Sequence, residues 1–147
     1  MKNTNESGRS MVEMLGVLAI IGVLSIGGIA GYTLAMNRYR ANEILNAAAL
    51  VAIAATSADG GAGAERNLAE LGGKEALTLP AIDTDADIKS NAAGVVTINV
   101  NKDYPAVGNL VKTLSGDRVE TGTDAECSSA KACKIIVNMS KSVKTSS

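Results

Sequence analysis

The feature that most limits how this chain can fold is an uncharged apolar stretch spanning residues 14–36. Tyr32 carries the only ionisable side chain between Glu13 and Arg38. As an α-helix rising about 1.5 Å per residue, the stretch is about 35 Å long, enough to cross a hydrocarbon layer of about 30 Å. A chain of 147 residues rarely buries so long a helix on every side, so the stretch predicts a membrane-spanning helix.

The residues before this stretch form a short polar leader, MKNTNESG, which ends at Gly8 and is followed by Arg9. Glu13, the fifth residue after Gly8, directly precedes the apolar residues. Secretory signal peptides typically place a cation, not an acid, before the apolar region. A glycine, four residues, a glutamate and about twenty apolar residues resemble the class III signal of type IV pilins and type II secretion pseudopilins. The resemblance covers about the first quarter of the chain.

Three functional residues follow from this resemblance. In the family, a membrane-embedded aspartic peptidase cuts after the glycine and the new amino terminus is N-methylated. The resemblance therefore implies processing between Gly8 and Arg9 and methylation of Arg9, where the family usually has Phe or another apolar residue. It also implies that Glu13 pairs with the positive α-amine of a neighbouring subunit, which would set the register of assembly. The Arg9 guanidinium is a second possible partner for Glu13.

After residue 36 the helical signal continues through residues 37–58, which are rich in Ala and lack Gly and Pro. Apolar residues recur there at three- and four-residue steps, which predicts an amphipathic helix that ends in a turn at residues 59–61. The predicted apolar face consists of Ala41, Ile44, Leu45, Ala48, Val51, Ala52 and Ala55.

The expected fold class is α+β, with one long helix, half in the membrane and half packed on a small antiparallel β-sheet domain, as in pilins. The expected regions are the leader 1–8, a transmembrane and assembly segment 9–36, an amphipathic segment 37–58 and a globular domain 59–147. Within that domain, Val95–Val100 and residues 134–139 predict strands, and residues 118–121 are a third candidate. A helix is predicted from Pro105 until Gly116, and residues 65–71 are a candidate for a shorter one.

Small residues recur along the membrane segment. Gly22, Gly27, Gly28 and Gly31 lie within it, and Gly27 and Gly31 form a GxxxG pair. Such glycines let helix backbones approach closely in lipid or in a helical bundle, and they also weaken the helix locally. Glycine is also common in transmembrane helices in general, so both interpretations stay open.

Asp83, Asp85 and Asp87 alternate as at the start of a calcium-binding loop. Such a loop needs Gly where this chain has Ile88 and Glu where it has Gly94. Some pseudopilins bind calcium, so the three carboxylates form a candidate site. A solvated acidic turn is the preferred interpretation.

The two cysteines, Cys127 and Cys133, flank the short polar loop SSAKA. Two cysteines in a chain without His do not make a plausible zinc site, and their spacing is not that of a CxxC redox motif. In an exported domain they would form a disulfide, and in a cytosolic one they would be free thiols. The family commonly carries a carboxy-terminal disulfide, which the resemblance extends to this pair.

Composition argues against several classes of function. The net charge is −1, with 14 Lys and Arg against 15 Asp and Glu, so nucleic acid is not expected as a main partner. The chain has no His, and no nucleophile–base pair stands out, so we expect neither an enzyme nor a cofactor.

The resemblance implies a pilin that assembles into a homo-oligomeric helical filament. Its implied partners are the membrane, the prepilin peptidase and an inner-membrane assembly platform, and its implied location is the inner membrane and then the cell surface. One alternative is a pseudopilin in a periplasmic pseudopilus of a type II secretion system. A more remote alternative is a secreted or singly anchored binding domain, since Thr33, Leu34 and Ala35 loosely resemble an ordinary signal-peptide cleavage site.

Overall fold

The longest element of the computed structural model is the helix α1, Asn5–Asp59. The structure describes residues 5–59, 65–91 and 93–142, with the side chains of all of these except residues 5–9 and 59. α1 ends where the sequence predicts a turn. The chain divides into two units, residues 1–36 and 37–147, and α1 contributes residues to both.

The second unit contains a four-stranded antiparallel sheet, in the spatial order β1-β2-β3-β4. Together with α1 this sheet makes the fold α+β, as predicted. The strands are β1 (Arg66–Asn67), β2 (Ile88–Ser90), β3 (Val95–Val100) and β4 (Cys133–Asn138).

β3 has the bounds that the sequence predicts, and its side chains alternate between buried and half-buried positions. Its buried residues Val96, Ile98 and Val100 form one face, because successive side chains of a strand point to opposite sides. β4 pairs with β3 along all six of its residues, from Cys133 opposite Val100 to Asn138 opposite Val95.

The amphipathic part of α1 packs on this sheet, as its apolar spacing predicts. Six of the seven predicted face residues are buried, and Leu45 is half-buried against the same core. Most of them are Ala, whose small side chains let a helix approach a sheet closely. The core that α1 shares with the sheet includes Ile44, Val51, Ile88, Val96, Ile98, Ile135 and Val137.

The helix α3, Pro105–Ser115, closes the core with Val107 and Val111. It begins with Pro at its first position and ends at Gly116, both as predicted. The Arg40 guanidinium lies 5.1 Å from the centre of the Tyr104 ring, so a cation–π contact joins α1 to the residue that precedes α3.

Two local predictions are wrong. Residues 118–121 do not form a strand: a 3₁₀ turn occupies Gly116–Arg118, and Val119 makes a single bridge to Val137. Residues 65–71 divide into β1 and a 3₁₀ turn, Leu68–Leu71, which Gly72 ends at φ 97°. The helix α2 (Gly73–Leu77) and the strand β2 are too short to produce a periodic signal in the sequence.

Candidate functional site

The first unit presents an apolar helical surface that no other described residue of the unit covers. Every side chain from residue 10 to residue 35 is exposed. Its large apolar side chains are between 52% exposed, at Ile21, and 73% exposed, at Ile26. Soluble proteins rarely present so large a continuous apolar surface to water, which marks a membrane or protein contact.

Length and composition allow this helix to cross a membrane. Among the described residues one helical segment qualifies, Ser10–Ala58, and its most apolar window has a mean hydropathy of 2.2. None of that window is buried within the protein, unlike the core helix of a soluble domain. The predicted transmembrane helix is therefore compatible with the structure.

Glu13 lies near the start of the apolar segment, on the exposed surface of α1. The backbone of Gly8 and Arg9 also falls within α1, whereas the side chain of Arg9 lies outside the described residues, as does the start of the leader. Arg9 precedes Glu13 by four residues, which is about one helical turn. Residues four apart share a helix face, so the predicted cleavage would place the new α-amine one turn from the carboxylate within the same chain.

The four predicted packing glycines stand in open surroundings. A Cβ atom added at Gly22, Gly27, Gly28 or Gly31 would meet no atom within 4 Å outside its own helical turn. Gly27, Gly28 and Gly31 lie within about 100° of arc around the helix, and Gly22 faces another direction. Packing within the described chain therefore does not explain why these positions are glycine.

The three aspartates of the acidic loop bind different donors of the protein. Asp85 Oδ1 accepts a hydrogen bond from the Lys74 amide at 2.5 Å. Asp87 Oδ2 accepts one from the Thr84 amide at 2.8 Å, and Asp83 Oδ1 accepts one from Asn101 Nδ2. Among the described residues no group of three or more His, Cys, Asp or Glu side chains could hold a metal ion. The structure thus does not bring these carboxylates together.

Cys127 and Cys133 form a disulfide, as predicted for an exported domain. Both cysteines are buried, at 4% and 3% exposure, while Ser128, Ala130 and Lys131 of the loop between them are exposed. The bond ties the start of β4 to the segment that precedes it.

The disulfide packs against α3. Cys127 lies against Gly108, and Asn109 binds the backbone of Cys127 twice: Asn109 Nδ2 donates to the carbonyl oxygen at 3.2 Å and Asn109 Oδ1 accepts from the amide at 3.0 Å. One turn of helix later, Lys112 Nζ donates to the carbonyl oxygens of Asp124 and Ala125. Side chains of one helix thus hold residues 124–127.

Two carboxylates beside β4 have lowered pKa values. The pKa of Asp124 is lowered mainly because the Lys134 amide donates to its carboxylate, and the Lys131 ammonium, 3.3 Å away, adds to the effect. The pKa of Glu120 is lowered first by a hydrogen bond from Lys141 and then by one from Asn138. Both groups therefore bind their partners as carboxylates.

Sequence reasoning missed the residues that organise this region. Gly108 inside a helical pattern was a signal, because an internal helical glycine often has a packing reason. Asn109, Lys112 and Asp124 gave no signal, because their partners are distant in sequence and are backbone atoms.

No family model, no curated protein and no solved structure matches the chain.

Proposed function

We propose that this protein is a pilin-type structural subunit that polymerises through the amino-terminal part of α1. The observation that carries the proposal is the continuous exposed apolar surface of residues 10–35, on a chain whose other unit has a buried core and a disulfide. The leader, Glu13 and the apolar length of the sequence support the same conclusion.

The proposed cycle begins in the inner membrane, where the apolar segment is dissolved in lipid. A prepilin peptidase removes residues 1–8, and Arg9 becomes the positively charged, N-methylated amino terminus. At an assembly platform the helix then leaves the lipid and joins helices of other copies. Because both surroundings are apolar, hydrophobic burial supplies little of the driving force, and close packing and polar pairing must supply the rest.

Glu13 has the central role in this scheme. An ionised carboxylate inside a helical bundle is penalised by several kcal/mol unless a cation lies beside it. The α-amine at Arg9 of a neighbouring copy would provide that cation at one axial position only. The pair would therefore select the register at which copies stack, while the second unit carries roles such as adhesion, motility or uptake.

Substitution of Glu13 tests the proposal. Glu13→Gln keeps the size of the side chain and removes its charge, so we expect normal insertion, cleavage between Gly8 and Arg9, and few or no filaments by electron microscopy. Glu126→Gln, at an exposed position of the second unit, is the matched control and should assemble normally. Filaments at wild-type abundance from Glu13→Gln would disprove the pairing mechanism.

An intact-mass measurement of the mature protein tests the rest. A chain that starts at Arg9 supports the proposed processing, whereas one that starts near residue 36 would indicate an ordinary signal peptide and a secreted domain. Abundant surface filaments support a pilin. Scarce periplasmic protein would instead indicate a pseudopilin.

A further inference from the structure

The outer edge of β4 is the feature on which this inference rests. Among the described residues β4 is the last strand of the sheet: one side of it pairs with β3, and the other side has no neighbouring strand but a single bridge from Val137 to Val119. The amides of Lys134 and Ile136 point to that outer side, because both bind groups outside the sheet. In an antiparallel ladder the direction alternates, so the amides of Ile135 and Val137 face β3.

Residues 119–124, here called the edge guard, cover this outer side without forming a strand. Two of its backbone amides bind β4: Glu120 donates to the Ile136 carbonyl oxygen and Asp124 to the Lys134 carbonyl oxygen, both at 2.8 Å. In return, the Lys134 amide donates to Asp124 Oδ2 and the Ile136 amide to Thr123 Oγ1, also at 2.8 Å. Side-chain oxygens thus occupy two of the outward amides that a neighbouring strand would use.

Residues outside β4 also hold the edge guard in place. Lys131 Nζ lies 3.3 Å from Asp124 Oδ1, and Lys112 Nζ donates to the Asp124 carbonyl oxygen at 2.8 Å. Gly122, at φ 91°, turns the chain between the two backbone contacts. Cys127 lies three residues after the end of the guard, and its disulfide to Cys133 would keep an opened guard linked to β4.

We propose that the edge guard blocks a latent pairing surface, and that the partner it excludes is β4 of a second copy of this chain. An open strand edge is a template for pairing with another chain. β4 has three consecutive β-branched residues, Ile135, Ile136 and Val137, which favour strand pairing. Two antiparallel β4 edges related by a two-fold axis present the same groups to each other, so the surface is self-complementary.

The opposite edge of the sheet needs no such cover. β1 has only two residues, Arg66 and Asn67, and a short edge strand offers few backbone groups to another chain. The guard has its largest effect where the local concentration of copies is high, because edge pairing needs two copies. This last point rests on the proposed function, since edge pairing in a filament would compete with assembly through α1.

The test uses the full-length chain in detergent micelles and removes the two side-chain acceptors. The variants are Thr123→Val, which keeps the side-chain shape, Asp124→Ala, and the double variant. Matched controls are Thr113→Val on α3 and Asp103→Ala, both at exposed positions. Amide hydrogen exchange of Lys134 and Ile136 is compared with that of Ile135 and Val137, and the size of the particles is measured by sedimentation.

In dilute samples we expect exchange of the outward amides to rise about tenfold per removed acceptor, while the inward amides keep their rates. In concentrated samples of the double variant, we expect a dimer and renewed protection of Lys134 and Ile136. Wild type and controls contain the same α1, so a dimer seen only in the double variant does not form through that helix.

Two results would overturn the proposal: unchanged exchange at Lys134 and Ile136, or faster exchange without dimer formation at any concentration. If all four amides of the double variant exchange together, the sheet itself has opened. The single variant Thr123→Val then tests the proposal, by the same measurements of amide exchange and sedimentation. No filament is needed, so the result is independent of whether the proposed function is right.

Discussion

Gly108 of α3 lies directly against the disulfide: a Cβ atom at this position would stand 2.6 Å from Cys127 Sγ and 3.1 Å from Cys127 Cβ. Real side chains essentially never approach so closely, so the helix and the disulfide cannot both keep their places with any residue other than glycine. An internal glycine weakens a helix by about 1 kcal/mol relative to alanine. The close approach explains why α3 has glycine here.

The first prediction is that Gly108→Ala destabilises the second unit by about 1–3 kcal/mol, because the cost of overpacking exceeds the gain in helix propensity. Thermal or urea unfolding of the full-length chain in detergent measures this. Gly16→Ala, where an added Cβ meets no atom within 4 Å, is the control and should leave the unfolding of the second unit unchanged. Equal or greater stability of Gly108→Ala would show that the disulfide segment moves aside at little cost.

The second prediction concerns the disulfide itself. Replacing both Cys127 and Cys133 with Ser should lower the free energy of unfolding by about 2–3 kcal/mol, the loop-entropy value for so short a closure. The contacts of Asn109 and Lys112 with the same segment remain, so we expect unfolding to stay cooperative. Urea titration of the double variant checks both points, and loss of the folded state in buffer would mean that these side chains cannot hold the segment alone.

The third prediction is a pairwise coupling between Arg40 and Tyr104. Their cation–π contact should appear in a double-mutant cycle as about 0.5–1 kcal/mol, using Arg40→Ala, Tyr104→Leu and the double variant. A coupling energy within error of zero would show that the two side chains contribute separately.

The fourth prediction is a loss of stability in acid. The pKa values of Asp124 and Glu120 are lowered in the folded protein from ordinary values of 3.8 and 4.5, so the folded state favours both carboxylates. Their contribution is fully present above those ordinary values and is lost as the pH falls through the lower, folded-state pKa values. Urea unfolding, measured in steps of about 1 pH unit between pH 6 and pH 2, gives the free energy of unfolding at each pH. This free energy should depend less on pH for Asp124→Asn and Glu120→Gln than for wild type.

The fifth prediction separates the two interpretations of the glycines in the apolar segment. If Gly27 and Gly31 allow close packing between copies, Gly31→Leu should reduce the yield of filaments strongly while the second unit unfolds as in wild type. Gly22→Leu, on another face of the helix, is the comparison. Equal filament yields from wild type, Gly31→Leu and Gly22→Leu would indicate that these glycines only reflect the usual composition of membrane helices.

Several features were determined by the sequence alone, because they depend on local periodicity. The apolar length of residues 14–36 and the three- and four-residue spacing from Ala41 to Ala55 are both complete within one helix. The structure has that helix, with the face from Ala41 to Ala55 buried. Val95–Val100 could be predicted for the same reason, since its β-branched residues lie between turn residues. Processing at Gly8, the role of Glu13 and assembly stay predictions.

Only the tertiary structure decided how the segments around β4 are held. Residues 118–121 have the composition of a strand, but Thr123 and Asp124 supply side-chain oxygens where a strand would supply backbone carbonyls. The three aspartates from Asp83 onward look alike in sequence and bind unrelated donors. In each case the deciding partner is a backbone amide or a side chain that folding brings near, and no spacing along the chain encodes that proximity.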